Sequence, residues 1–310
     1  MNQSAQSVLM IEPVAFGFNP DSARTNSFMH SSGGRLRAEE VQAAALREFH
    51  GLVERLSEEG VEVLVRRDRV EAPSADSIFP NNWVTFHEDG RAVLYPMEPP
   101  NRRRERRLDI LDWLRDKEGF FLRQVVDLSP HEDEGRFLEG TGSMVFDRRH
   151  DLVYASISPR TTPSLLREFG ERFGLEVSSF HAFDRDGSPV YHTNVVLALG
   201  SGLAVFCAEA VRDPSERRSV ASSLERGGGE VVEITMEQLY AFAGNLLELR
   251  DRAGDPVLAI SERAWSSLTP EQIRRLERHG RMARSPIPTI EEQGGGSVRC
   301  MLAEVFLPRA

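Results

Sequence analysis

Apolar runs and glycine-centred turns recur along this chain in a fixed order. The clearest unit begins at Val190: Tyr191 to Leu199 is a largely apolar run, Gly200-Ser201-Gly202 a turn, and Leu203 to Cys207 a second run. Two such runs joined by a short glycine turn predict a β-hairpin. Asp213-Pro214 follows, a capping residue ahead of a proline suited to the first helical position, and predicts a helix to Arg226 that stops at Gly227-Gly228-Gly229. The β-branched stretch Glu230 to Ile234 closes the unit as a third strand.

The same order can be laid over the rest of the chain. One copy has its hairpin at 82–97, turning at Glu88-Asp89-Gly90, a helix over 101–117 and a strand over 122–126. Another has its hairpin at 142–156, a helix over 161–173 and a strand over 176–180; a further hairpin at 245–260 precedes helices between 261 and 278. A fifth copy is split, with its first strand at 298–306, its second at 8–16, a helix over 38–58 and a strand over 61–65. That helix carries Val41, Leu46, Phe49, Val53 and Leu56 at near-helical spacing. A repeat whose two ends must pair predicts a closed ring, because joining them removes an open sheet edge. The expected fold is therefore α/β, a fivefold pseudosymmetric β/α propeller in one domain over 1–310, closed by pairing of the N- and C-terminal strands. Periodicity alone leaves a plain α/β sandwich open. Asn82, Ser143, Asn194, Asn245 and Ser297 each open an apolar strand in this reading, and in a ring all five face the central channel.

Composition narrows the function. A formal charge of −10 and a pI near 5.4 argue against a nucleic-acid binder. No stretch approaches the ~20 apolar residues of a membrane span, and the start has no basic segment or cleavage site. Two cysteines cannot build a disulfide scaffold or a Cys-rich zinc site, so the cytoplasm is expected. A homo-oligomer is left open.

Cys300 follows the run Gly294-Gly295-Gly296-Ser297, where backbone amides can reach a ligand, and is a candidate nucleophile. Arg299 could support a thiolate, although strand alternation would turn it away. Cys207, in an apolar hairpin, reads as a small buried hydrophobe. His192 holds the equivalent place in its own repeat and suits a proton shuttle, although a lone histidine is more often structural. Glu139, in Phe137-Leu138-Glu139-Gly140-Thr141-Gly142, is an acid among apolar residues and needs a partner such as that histidine or a cationic substrate. Asp76 and Asn82 could add planar hydrogen bonds, against a competing turn role for Pro80-Asn81-Asn82. Arg160 ends a strand, and most arginines of 102–107 read as a solvated helix face. No histidine spacing matches a metal site.

Phe79-Pro80-Asn81-Asn82-Trp83, Tyr95-Pro96-Met97, Asn101-Arg102-Arg103, Phe137 to Met144, Tyr191-His192-Thr193-Asn194-Val195, Phe242-Ala243-Gly244-Asn245 and Gly294 to Met301 together resemble the guanidine-modifying (pentein) superfamily. This group includes arginine deiminase, dimethylarginine dimethylaminohydrolase and the amidinotransferases, and the closest likeness is to citrulline-utilization hydrolases. The resemblance implies a fivefold propeller in which Cys300 is the nucleophile, His192 the general acid and base, and Glu139 the acid beside the histidine. It implies that Asp76 holds the guanidinium and that Arg102 and Arg160 bind the substrate's α-carboxylate. Asn82 departs from a family aspartate, which removes one negative charge and makes room for a neutral ureido group.

The expected activity is hydrolysis of a non-peptide C–N bond in a small guanidino or ureido amino acid through a cysteine adduct, with no metal or organic cofactor. An amidinotransferase with the same adduct, or a non-catalytic binding propeller, are the rivals. Residues 18–35 read as a long loop, either a lid or disordered.

Overall fold

The computed structural model describes residues 2–31, 33 and 37–310. Among the described residues, fifteen strands form five three-stranded sheets. In chain order they are β1 (Ser7–Glu12), β2 (Glu62–Arg67), β3 (Val84–Phe86), β4 (Arg91–Leu94), β5 (Gln124–Asp127), β6 (Val145–Asp147), β7 (Leu152–Ser156) and β8 (Glu176–Phe180). They continue as β9 (Leu197–Leu199), β10 (Leu203–Phe206), β11 (Glu230–Glu233), β12 (Leu247–Arg250), β13 (Pro256–Ser261), β14 (Arg281–Ser285) and β15 (Ala303–Val305).

Every sheet has the same plan. A short strand pairs antiparallel with a middle strand, which pairs parallel with a third strand reached through a helical crossover. In the sheet holding both ends, β15 is the short strand: Ser7, Val8 and Leu9 of β1 face Val305, Glu304 and Ala303. The middle strands are nearly continuous apolar runs because both of their faces are covered. Val8, Leu9 and Met10 are fully buried, as are Val257, Leu258, Ala259 and Ile260. Third strands such as β5 and β11 are more polar and more exposed.

The crossover helices follow from local chemistry. Ala38–Glu58 buries Val41, Ala45, Phe49, Leu52 and Leu56 along one stripe. Truncating Phe49 to alanine there would cost about 3–5 kcal/mol. Pro214–Arg226 starts where Asp213 accepts from the N–H groups of Ser215 and Glu216.

The first strand of each repeat differs from the sequence expectation. A single helical turn precedes it: Pro80–Asn82, Gly140–Ser143, Thr193–Val196 and Val298–Met301, with a turn at 241–244 in the remaining repeat. The strands that follow β-sheet rules are correspondingly only three or four residues long. Asn, Ser, Thr and Gly at these points bond locally and favour turns over ladder pairing. The five landmark polar residues therefore lie in or beside turns, and all are buried. The arginine cluster also departs from a solvated face: Arg102 and Arg107 are buried, and only Arg104 is exposed. Among the described residues, no helix is long and apolar enough to cross a membrane.

Candidate active site

The helical turns carry the site. Cys300 sits in Val298–Met301, His192 precedes Thr193–Val196, and Glu139 precedes Gly140–Ser143. Neighbouring turns are tied together by hydrogen bonds: Thr193 Oγ1 donates to the Ser143 carbonyl at 2.6 Å, and Asn245 Nδ2 to the Asn194 carbonyl at 2.8 Å. His192 and Cys300 line one cavity together with Asp76, Asn82, Arg102 and Arg160.

His192 Nε2 meets Glu139 Oε2 at 2.8 Å with both side chains buried. Burial alone would raise the Glu139 carboxyl, but Arg160, the hydrogen bond to His192 and Arg102 outweigh it and bring it down to about 2. Burial pulls His192 down to about 4 against the pull of Glu139. The pair at neutral pH is thus a carboxylate and a neutral imidazole whose Nε2–H points at the acid, leaving Nδ1 as the ring's acceptor. The backbone at Gly142 makes room for the ring, since a Cβ there would lie 2.6 Å from His192 Cε1 and 2.6 Å from Asn82 Nδ2.

Cys300 Sγ lies 3.4 Å from Asn245 Nδ2 and 3.6 Å from Asn194 Nδ2. Burial pushes its thiol up, opposed by the Ser297 backbone, Asn245, the charge of Arg299 and Asn194. Arg299 itself pairs with Glu304 at 3.4 Å. Cys207 is fully buried, with its thiol pushed up by burial to about 12.

The binding groups are largely engaged within the protein. Arg102 forks onto Glu105 at 2.8 and 3.0 Å and donates to Asn82 Oδ1 at 3.0 Å. Burial pulls Arg102 down, but Glu105 and Asp76 more than restore its charge. Arg160 Nη2 donates to the Ser22 carbonyl at 2.8 Å, its Nε to Thr25 Oγ1 at 3.0 Å, and its Nη1 to Glu139 at 3.4 Å. Asp76 Oδ2 accepts from Ser22 Oγ at 2.5 Å and Asn19 Nδ2 at 2.8 Å. Of the buried atoms without a partner among the described residues, Asp76 Oδ1 and Asn82 Nδ2 belong to side chains that line this cavity.

The loop that takes up Asp76 and Arg160 is the segment read from sequence as a lid or disorder. Its described part contains the turn Pro20–Ala23 and is packed down: Asn26 Nδ2 donates to the Gly295 carbonyl, and Phe28 stacks on Tyr240 at 5.0 Å. Ser32, Gly34 and Arg35 of this segment lie outside the described residues. The cavity beneath is only about 10 Å³.

Sequence reasoning singled out Asn194 and Asn245 as repeat landmarks but not as neighbours of the sulfur. Their shared repeat position with Ser297, three residues before Cys300, was the available signal. It missed Glu105, three residues after Arg102 and therefore on the same side of one turn, and it missed Asn19, Ser22 and Thr25.

Five repeated three-stranded α/β sheets suit the guanidine-modifying (pentein) enzymes that the sequence resembles. The family model described as N,N dimethylarginine dimethylhydrolase, eukaryotic, matches residues 12–307, and the chain belongs to that family. Among curated proteins, no significant sequence match was found. Solved structures resemble it throughout. ArgZ, an arginine dihydrolase from cyanobacteria, superposes with a TM-score of 0.75 at 16% identity over 98% of this chain and 41% of ArgZ. A cysteine-to-serine variant of the ArgZ N-terminal domain, bound to substrate, gives 0.74 at 16% identity over 97% of this chain and 98% of that domain. Dimethylarginine dimethylaminohydrolase from Pseudomonas aeruginosa, also a cysteine-to-serine variant and complexed with citrulline, gives 0.63 at 17% identity, covering 97% and 99%. The chain thus spans about two fifths of full-length ArgZ and matches its N-terminal domain over nearly its whole length.

Proposed function

We propose that this protein hydrolyses a C–N bond of an arginine-like guanidino or citrulline-like ureido amino acid through a covalent adduct on Cys300. Family membership makes it a hydrolase of the arginine-analogue type. The observation that carries the residue assignment is that Cys300 and His192, the latter locked to Glu139, share one cavity with the unpartnered Asp76 Oδ1.

In the free enzyme the proton rests on the thiol and His192 is neutral. On binding, the planar group of the substrate donates N–H bonds to Asp76. The thiol proton passes to His192, and the thiolate attacks the central carbon. His192⁺ then protonates the departing amine or ammonia as the C–N bond breaks, because an amine anion cannot leave at neutral pH. Water adds to the remaining thioether-linked carbon, giving its proton to neutral His192. The C–S bond breaks, and that proton returns to the sulfur. Glu139 stabilises the imidazolium in both halves, and Arg160, once released by the loop, is the cation for the α-carboxylate. Arg102 acts by orienting Asn82 and Asp76, since its donors are held by Glu105 and Asn82.

Asn82 favours the ureido reading. Its Oδ1 accepts from Arg102, so its Nδ2 is the group turned free. A guanidinium offers only donors, whereas a ureido carbonyl offers the acceptor this amide needs.

We further read the five sheets as one closed ring and one domain. Pairing of β1 with β15, and the arrival of Asp76, Glu139, His192 and Cys300 from four different repeats at one cavity, support this reading. A free nucleophilic thiol and a second free cysteine suit the cytoplasm.

The test is a panel of guanidino and ureido amino acids with ammonia, amine and urea measured separately, together with mass spectrometry of Cys300. Turnover and the adduct should both vanish in Cys300→Ala with the fold intact. Full activity in that variant would overturn the mechanism, and transfer of an amidino group to added glycine would indicate the transferase instead.

A further inference from the structure

Between the hairpin turns of β3–β4 and β6–β7, away from Cys300, lies a cavity of about 340 Å³. We propose that it binds an α-amino acid with an apolar side chain.

Its walls combine Phe146, Phe173 and Leu175 with one buried cation, Arg148. Arg148 is only 8% exposed, and its guanidinium lies 3.9 Å from the Phe306 ring centre and 4.9 Å from that of Phe146. Among the described residues its side chain makes no hydrogen bond and no ion pair; Glu304, the first acid in its field, is paired with Arg299 at 3.4 Å. A buried charge without a partner is costly, and a guanidinium presents a fork of donors matched to a carboxylate. The other base on the wall, half-buried His87, brings no charge for an anion. His87 stacks on Phe173 at 5.6 Å, its Nε2 is bonded to Thr85 Oγ1 at 2.9 Å, and burial together with Arg148 and Arg91 holds it neutral.

The remaining charges decide the class of ligand. Arg91 Nε lies 2.6 Å from Asp89 with its guanidinium 4.4 Å from the Phe173 ring centre, Asp147 meets His150 at 2.8 Å, and Glu88 accepts the Asn2 N–H at 2.9 Å. Asp151, exposed on a left-handed turn with φ 49°, has no side-chain partner among the described residues. A simple anion would meet repulsion from these carboxylates, whereas a zwitterion answers both sides. Its carboxylate goes to Arg148, its ammonium to the acidic rim at Asp151, and its apolar side chain to Phe146, Phe173 and Leu175. The volume falls within the roughly 300–1,000 Å³ of small-ligand pockets.

Calorimetric titration of the full chain with L-leucine and L-phenylalanine tests this, with 3-phenylpropanoate and phenethylamine as analogues carrying one charge each. Saturable binding of the amino acids is expected, roughly tenfold tighter than either analogue and weakened about tenfold by Arg148→Gln and by Asp151→Asn. Asp151 is exposed, so its variant carries the test even if Arg148→Gln fails to fold. Three results would overturn the proposal: no binding, binding that Asp151→Asn leaves unchanged, or 3-phenylpropanoate binding as well as L-phenylalanine.

Discussion

Replacing Asn245 by alanine should make Cys300 a poorer thiolate. One Nδ2 hydrogen of Asn245 is held by the Asn194 carbonyl at 2.8 Å, so the amide is fixed with its second hydrogen available to the sulfur at 3.4 Å. A hydrogen bond to a charged group contributes about 1.5–3 kcal/mol. Taking the lower end for a long N···S contact, its loss leaves roughly tenfold less thiolate at a given pH, since 1.4 kcal/mol is one factor of ten. The direction follows from chemistry: the shorter amide N–H contact stabilises the anion more than the thiol, so removing it moves ionisation to higher pH. The assay is the rate of iodoacetamide alkylation of Cys300 across neutral and alkaline pH, read peptide by peptide by mass spectrometry. Cys207 stays silent because it is fully buried and its thiol is pushed up to about 12. Opening of the covering loop enters both rates equally and cancels in their ratio. Asn194→Ala, with its longer 3.6 Å contact, should have the smaller effect. Equal alkylation profiles for wild type and a folded Asn245→Ala protein would refute the role of these amides.

Further outcomes follow from the same geometry. Gly142→Ala drives a methyl group into the His192 ring and the Asn82 amide; it should cut kcat at least a hundredfold, with a fall of about 1–3 kcal/mol in urea-unfolding stability. Because burial lowers His192 from 6.5 to about 4, the folded state resists its protonation. Stability should therefore fall by up to about 3 kcal/mol as pH drops from 6.5 to 4, and continue to fall as Glu139 is protonated on the way down to about 2. His192→Gln should flatten the upper part of that loss in denaturation curves; an unchanged slope would assign it elsewhere. Asn82→Asp adds a carboxylate beside Arg102 and should shift kcat/KM toward cationic guanidino substrates over ureido ones by at least about tenfold, measured by competing the two in one reaction.

The repeat was legible because strand and helix periods, proline starts and glycine stops recur at fixed intervals. The helices Ala38–Glu58 and Pro214–Arg226 and the strand Glu176–Phe180 lie where hydropathy and capping place them. The turn before each first strand was hidden, because residues such as Val195 and Val196 carry strand propensity that tertiary contacts override. Cys300, His192 and Glu139 stood out as chemistry-bearing residues among glycines, and the distances among them required three dimensions. The engagement of Arg102 by Glu105, and of Arg160 by the Ser22 carbonyl, was out of reach. A backbone carbonyl leaves no trace in residue type, and a binding arginine and a structural one are spelled alike.

The pairing of β1 with β15 has a consequence for synthesis. Cys300 lies in the turn just ahead of β15, so its thiol is synthesised next to the strand that completes the first sheet. Until then β1 keeps one raw edge and the cavity lacks its thiol.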